Sequence, residues 1–184
     1  MPFAYYHRLS PTRKQVYRQS DAIASIQLPA TPELRPAVAA LRVALEADTR
    51  AKVEREADRL VAALLAALRV PPVRTRVLAV RPAEHWGELH GLYMPGVPSG
   101  RATITVWMRT AQRRQVVRFR TFLRTLLHEV AHHLDYELLQ LHESFHTEGF
   151  YKRESSLMRQ LLQESEPPLP DAPALGGSSS AGVV

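Results

Sequence analysis

The residues best suited to chemistry are His128, Glu129 and His132, which stand in the pattern His-Glu-x-x-His. On a helix, residues four apart share a face and lie about 5–6 Å apart at Cβ. Two imidazoles placed in this way can each give a nitrogen to one zinc ion, and the glutamate can act as general base toward a water there. A catalytic zinc needs three protein ligands and one open position, so the pattern predicts a third ligand elsewhere.

The sequence around this pattern predicts a helix. Apolar residues recur at helical spacing, at Phe119, Leu123, Leu126, Leu127, Val130, Leu134, Leu138 and Leu141. No glycine or proline occurs from Arg101 to Glu148, so nothing interrupts a helix at the pattern. The competing interpretation is an ordinary amphipathic core helix whose histidines have only structural partners.

The first candidate for the third ligand is His146. On an uninterrupted helix it would lie about 21 Å from His132, at 1.5 Å per residue, so it can share a metal only if the chain turns back after about Leu141. Thr147 is suited to be the N-cap of a second helix at about 148–163. That helix start would place His146 where the chain returns to the metal.

The second candidate is Glu154, which on the second helix would share a face with apolar residues. A carboxylate buried there needs a partner, either the metal itself or a ligand imidazole. Asp135 could orient a ligand or be a solvated surface residue. His133 points away from the His128/His132 face and is expected to be structural, and His85 and His90 are expected to be surface or turn residues.

The pattern His128-Glu129-x-x-His132, followed by His146 four residues before Phe150, resembles the SprT-like zinc metallopeptidases of the zincin superfamily. The resemblance implies a zincin-like fold, a zinc cofactor and hydrolysis of peptide bonds. It also implies that the three histidines are the metal ligands and that Glu129 is the base.

The resemblance extends over about residues 73–162. Within this range, Trp86-Gly87 followed by the strand around Ile104 is only weakly similar to the same group. The group usually has glycine after its third histidine, where this chain has Thr147. Its members often carry a cysteine-rich zinc ribbon, whereas this chain has no cysteine. With Glu154 as the third ligand, the chain would be more similar to a small gluzincin.

The elements that must position these residues are predicted from periodicity and capping signals. Helices are predicted at 11–20, 33–46 and 49–69, and strands at 73–80, 87–93 and 101–109. The helix with the His-Glu-x-x-His pattern and the second helix follow. The predicted fold class is therefore α+β and zincin-like, with N-terminal helices, a small three-stranded sheet, the histidine helix and a following helix.

The composition predicts a single domain with a tail. Residues 1–164 are predicted to form one zincin-like metallopeptidase domain, and residues 165–184, rich in Pro, Gly and Ser, to be disordered. The absence of cysteine excludes disulfides and cysteine metal sites. No apolar run reaches the ~18 residues needed to span a membrane, and the first residues lack a signal-peptide core. We expect a cytoplasmic protein without a membrane partner.

The net charge of +6 is carried mostly by arginine. The densest cluster stands between the last predicted strand and the histidine helix, at Arg109, Arg113, Arg114, Arg118, Arg120 and Arg124. Such a cluster could bind nucleic acid, although it lacks the interleaved aromatic residues of single-strand binders. A solvated basic surface is the simpler interpretation.

The sequence thus predicts zinc-assisted hydrolysis of a protein or peptide substrate, with Glu129 as the base. The substrate could add as an extended strand along the edge of residues 101–109. Tyr93 and Tyr151 are candidates for stabilising the oxyanion. The competing functions are a zinc-stabilised binding module without catalysis, which could use the arginine cluster on nucleic acid, and a helical protein without metal. The oligomeric state is left open.

Overall fold

A computed structural model of the chain describes residues 3–84, 87–96 and 100–165. The helices there are a 3-10 helix at Ala4–Arg8, α1 (Pro11–Ala22), α2 (Leu34–Glu46), α3 (Arg50–Ala67), α4 (Phe119–Glu137) and α5 (Glu148–Ser165). The strands are β1 (Arg74–Val80), β2 (Ala83–Glu84), β3 (Gly87–Glu88), β4 (Gly91–Met94) and β5 (Thr103–Arg109). The α+β class is confirmed. The predicted tail lies outside the described residues from 166 onward, and Ser165 ends α5.

The predicted small sheet is present, with strand order β1-β5-β4. β5 pairs in parallel with β1 and antiparallel with β4. The single strand predicted at 87–93 is wrong, because two separate pairings divide it. Gly87–Glu88 pairs back on β2, whereas only Gly91–Met94 pairs with β5.

The central strand is buried on both of its faces. Ile104, Val106 and Met108 face the main core, as the alternation predicts, and Thr105 and Trp107 on the other face are also buried. α4 packs against β4 and β5, while α3 packs against β1 and α2. The helix that carries the histidine pattern therefore lies between the sheet and α5. Among the described helices, none combines the length and the apolar composition needed to cross a membrane.

The two outer edges of this sheet differ. Side chains of α3 close the edge of β1: the amides of Thr75 and Val77 donate to Asp58 Oδ1 and Glu54 Oε2 at 3.1 and 2.8 Å. Arg50 donates to the Val77 carbonyl at 3.0 Å. The other edge belongs to β4, whose residues line the cleft described below.

The helix starts predicted at 11, 33, 49 and 148 lie within one residue of the observed starts, but α4 ends earlier than expected. Ser10 accepts a hydrogen bond from the Arg13 amide as N-cap of α1. α4 ends at Glu137 rather than near Leu141. Beyond it, Gln140 adopts a left-handed φ of 53°. That conformation is unfavourable for an L-residue other than glycine, and glutamine is a good helix former, so the sequence carries no local signal for this turn.

Candidate metal centre

Three histidine side chains converge at one point of the structure. His128 and His132 lie one turn apart on α4, and His146 comes from the loop between α4 and α5. Its Nε2 lies 3.0 Å from Nε2 of His128 and 3.0 Å from Nε2 of His132. Two nitrogens on one tetrahedral zinc, at ~2.0–2.1 Å from the ion, are separated by about 3.3 Å. The cluster can therefore hold a metal ion with little adjustment.

Glu154 lies on the far side of His128, not among the three Nε2 atoms. Its Oε2 is 2.9 Å from His128 Nδ1, and its Oε1 accepts from Arg124 at 3.1 Å. Because a carboxylate only accepts, His128 carries its proton on Nδ1 and its Nε2 lone pair faces the cluster. Two roles were considered for Glu154, as a metal ligand and as the partner of a ligand imidazole. Its contact with His128 Nδ1 agrees with the role of partner.

A buried chain of polar groups orients His132. Its Nδ1 lies 2.7 Å from the Ser144 hydroxyl, which donates to Asp135 Oδ2 at 2.7 Å. Since the hydroxyl proton is used toward Asp135, Ser144 accepts from Nδ1 and leaves Nε2 free. Asp135 in turn pairs with Arg153 at 2.7 Å, with both side chains fully buried. Of the two roles considered for Asp135, orienting a ligand agrees with the structure and a solvated position does not.

The electrostatics of the cluster favour neutral imidazoles. Burial, together with smaller effects of the neighbouring His128 and His146, lowers the pKa of His132 to about 3. Burial also lowers the pKa of His146, and His128 adds to that effect. Both rings are therefore neutral near pH 7, and neutral imidazole is the form that binds a metal.

Glu129 stands beside the cluster as a buried carboxyl group. Burial raises its pKa to about 7, while His128 and a backbone hydrogen bond from Tyr93 act in the opposite direction. Such a pKa suits a general base near neutral pH. Gly91 of β4 makes this position possible, because a Cβ at residue 91 would overlap the Glu129 carboxylate.

An open cleft gives access to the cluster from two sides. One part has a volume of about 290 Å³ and reaches Tyr136 and Ser144, and the other, of about 540 Å³, reaches Arg124 and Tyr151. The two parts meet at residues that line both, namely Gly91, His128, Glu129 and His146. The cluster therefore has space beside it for a further ligand and for an extended substrate.

The tyrosine candidates differ in their surroundings. The Tyr93 hydroxyl lies 3.1 Å from His133 Nδ1, and His133 Nε2 lies 2.9 Å from the Pro71 carbonyl. Because the Pro71 carbonyl can only accept, His133 carries its proton on Nε2. Its Nδ1 therefore accepts the hydrogen bond that the Tyr93 hydroxyl donates. Tyr151 is partly exposed and lines the larger part of the cleft. Tyr151 is therefore the better placed of the two for an oxyanion.

The remaining histidines have other positions. His133 is buried and has the structural contacts expected of it. His90 is exposed and lines the larger part of the cleft, outside the cluster of three. His85 lies outside the described residues.

Sequence reasoning missed Ser144, Arg153 and Gly91. The available signals were an arginine close to the apolar face of the second helix and a glycine inside the strand predicted at 87–93, since both point to a special local environment. Nothing in the sequence marks Ser144.

Comparisons with known proteins add no family assignment. No protein-family model matches the chain, and neither a curated protein nor a solved structure matches it. The function is therefore inferred from the residues of the site and their geometry.

Proposed function

We propose that the chain is a zinc-dependent metallopeptidase that hydrolyses peptide bonds, related in kind to the SprT-like zincins. One observation carries the proposal: three Nε2 atoms converge in an open cleft beside the buried carboxyl group of Glu129. A site with a purely structural metal has no use for an unliganded carboxylate and an open cleft. Zinc, when bound, would act as a Lewis acid toward the scissile carbonyl and acidify the attacking water.

The chain's own residues supply the proton transfers. Glu129 takes a proton from the attacking water and passes it to the leaving amine. His128 and His132 keep their Nε2 atoms directed at the centre through the hydrogen bonds of Glu154 and Ser144. Tyr151 is proposed to face the developing oxyanion.

A substrate strand is proposed to pair with β4 rather than with β5. The earlier expectation of strand addition at 101–109 is wrong, because β5 is central and pairs on both sides. β4 is the edge strand that lines the cleft, and among the described strands it pairs only with β5. Its Tyr93 amide already donates to Glu129, so the pairing proposed here uses other backbone groups on the outer side of β4. An extended peptide is proposed to pair there by backbone hydrogen bonds.

The test is Glu129→Gln, assayed on a permanently unfolded protein substrate. The variant should retain zinc, because Glu129 is not a ligand, and lose ~10²–10⁴-fold of the hydrolysis rate, because it lacks the base. Glu137→Gln is the matched control, since it makes the same change on the exposed end of the same helix. Full activity in Glu129→Gln would contradict the proposed role. A parent protein that binds no zinc would refute the whole proposal.

The nucleic-acid alternative stays a prediction. Within the described residues, Arg109 pairs with Asp48 and Arg124 pairs with Glu154, so two of the six clustered arginines are already engaged. Salt-dependent binding of a DNA or RNA oligomer by the Glu129→Gln variant would favour a binding module that uses the others.

A further inference from the structure

Residues 3–23, which comprise the 3-10 helix and α1, form an arm that packs on the loop carrying His146. We call residues 138–147 the ligand loop. The contact between them is a hydrophobic cluster distinct from the main core, built from Val16, Tyr17, Leu141 and Phe145 with Tyr5, Tyr6, Leu9 and Leu139 around them. The arm and the ligand loop therefore share a small core of their own.

The arm holds the backbone on both sides of His146. The Tyr5 hydroxyl donates to the His146 carbonyl at 3.0 Å. The preceding Phe145 is buried against Tyr5 and Tyr17, with ring centroids 6.4 and 6.1 Å away. The following Thr147 is buried, with its hydroxyl 3.3 Å from that of Ser20. His146 itself is exposed, so its position depends on its two anchored neighbours.

The end of α1 also reaches α5 at close range. Asp21 accepts from the Gly149 amide at 2.9 Å, and a Cβ at residue 149 would overlap the backbone of Ser20 and Asp21. Thr147 caps the same helix start by accepting from the Phe150 amide at 3.0 Å. The first turn of α5, directly after His146, is thus seated on the arm.

A second route leads from the arm to His132. Arg153 donates to the carbonyls of Ser20 and Ile23 at 2.6 Å each, where α1 ends, and to Asp135 at 2.7 Å. Asp135 accepts from Ser144, which contacts His132 Nδ1. The same buried guanidinium therefore ties the arm to the chain of groups that orients a second histidine.

The arm supports the site from behind and does not cover it. The described residues that line the two parts of the cleft come from 89–95, from α4 and from 144–154, and none comes from the arm. An N-terminal segment of this kind does not block a substrate. Its contacts suit a role in holding the metal-binding residues in place.

We propose that the arm is a positioning element of the metal centre, with Tyr5 as its key residue for His146. This inference depends on the metal site of the proposed function, but not on peptide hydrolysis. Ordering the ligand loop costs conformational entropy, which the small shared core offsets only while the arm is docked. Metal affinity therefore scales with the docked fraction, and by linkage a bound metal stabilises the docked arm.

The first test compares Tyr5→Phe with Tyr6→Phe in the full chain, by zinc titration against a competing chelator. Both changes remove one hydroxyl from the same 3-10 helix, but the Tyr6 hydroxyl accepts from Arg18 at 3.2 Å, and this contact lies within the arm. Tyr5→Phe should weaken zinc binding roughly 2–12-fold, the effect of one lost hydrogen bond, and Tyr6→Phe should leave it unchanged. Equal zinc affinities in the two variants would overturn the proposal.

Tyr5→Ala extends the test, because it also removes the ring contact with Phe145. Its zinc affinity should fall ~10–100-fold, the range for groups that orient a ligand. The cobalt-substituted variant should also show a changed visible spectrum, since a displaced His146 alters the ligand field. A spectrum and an affinity identical to those of the parent would mean that Tyr5 is merely structural.

The reciprocal effect is measured by hydrogen exchange of the parent protein with and without zinc. Zinc should slow exchange at 4–9 and 141–147, and leave α3 unaffected. Slowing confined to α4 and the ligand loop would overturn the coupling. A parent that binds zinc without hydrolysing any substrate would count against the peptidase alone, whereas a parent that binds no zinc refutes the metal site itself.

Discussion

The three histidines proposed as metal ligands come from two regions of the chain, and different contacts fix their positions in each region. His128 and His132 lie on α4, where backbone hydrogen bonds of the helix fix their separation. His146 lies on an irregular loop, where contacts to the distant arm fix its position. The helix alone sets the distance between His128 and His132, whereas His146 approaches them only when the whole chain has folded. The regions should therefore respond differently to substitution.

The largest expected effect comes from the buried ion pair between Asp135 on α4 and Arg153 on α5. Arg153→Met leaves Asp135 unpaired with both positions fully buried, which should cost about 3–5 kcal/mol of unfolding free energy. Arg13→Met is the control, because the Arg13–Glu143 pair has side chains 50% and 38% exposed and should cost about 0–1 kcal/mol. Urea unfolding of the metal-free variants gives both values. Similar losses would show that burial does not distinguish the two pairs.

The next largest effect is the loss of zinc affinity, which distinguishes a metal ligand from a group that orients a ligand. His146→Ala should weaken zinc binding by more than about 100-fold, whereas Glu154→Gln should stay within the ~10–100-fold range of an orienting group. Both are titrated against the same chelator, together with His132→Ala as the helix ligand. A larger zinc loss in Glu154→Gln than in His146→Ala would reverse the assignment. A much smaller loss for His146→Ala than for His132→Ala would show that the loop ligand is weakly held.

A third prediction concerns pH and uses the Glu129 carboxyl group on α4. Its pKa in the metal-free protein is about 7, above the ordinary 4.5, so the folded state binds the proton more tightly than the unfolded state. The contribution of Glu129 to the stability of the metal-free parent should therefore fall as pH rises from about 4.5 to about 7, by about 3 kcal/mol. The lowered pKa of His132 acts in the opposite direction over part of this range, so the contribution is measured as the difference between the parent and Glu129→Gln. Glu129→Gln should lack this fall and be the more stable protein above pH 7. Parallel pH profiles in urea unfolding would contradict the raised pKa.

The smallest expected effect concerns Gly91, where β4 meets α4. Gly91→Ala should push the Glu129 carboxylate aside and lower hydrolysis about tenfold, a part of the ~10²-fold that misplacing a catalytic group can cost. Zinc content should not change, because the three histidines are untouched. Met94→Ala serves as control, because Met94 is an exposed residue at the end of β4 that does not line the cleft. If both variants keep the parent rate, the close approach at Gly91 has no catalytic meaning.

Much of the scaffold could be predicted because its signals are local. Helical periodicity places α2, α3 and α4, and the capping residues Ser10 and Thr147 mark two helix starts. Alternation identifies β5. The end of α4 and the division of the strand at 87–93 could not be predicted, since a left-handed Gln140 and a choice of pairing partner depend on the rest of the fold.

The pairing of His128 with His132, and Glu129 beside them, could be predicted from the sequence alone, because i, i+4 spacing is a property of the helix. It left His146 and Glu154 as alternatives. The packing of the folded chain places Glu154 against His128 Nδ1, buries Asp135 against Arg153, and makes β4 an outer strand of the described sheet. Tyr5 and His146 stand 141 residues apart, and no local pattern encodes a contact at that separation. Such contacts arise from packing the arm, the loop and α5 together.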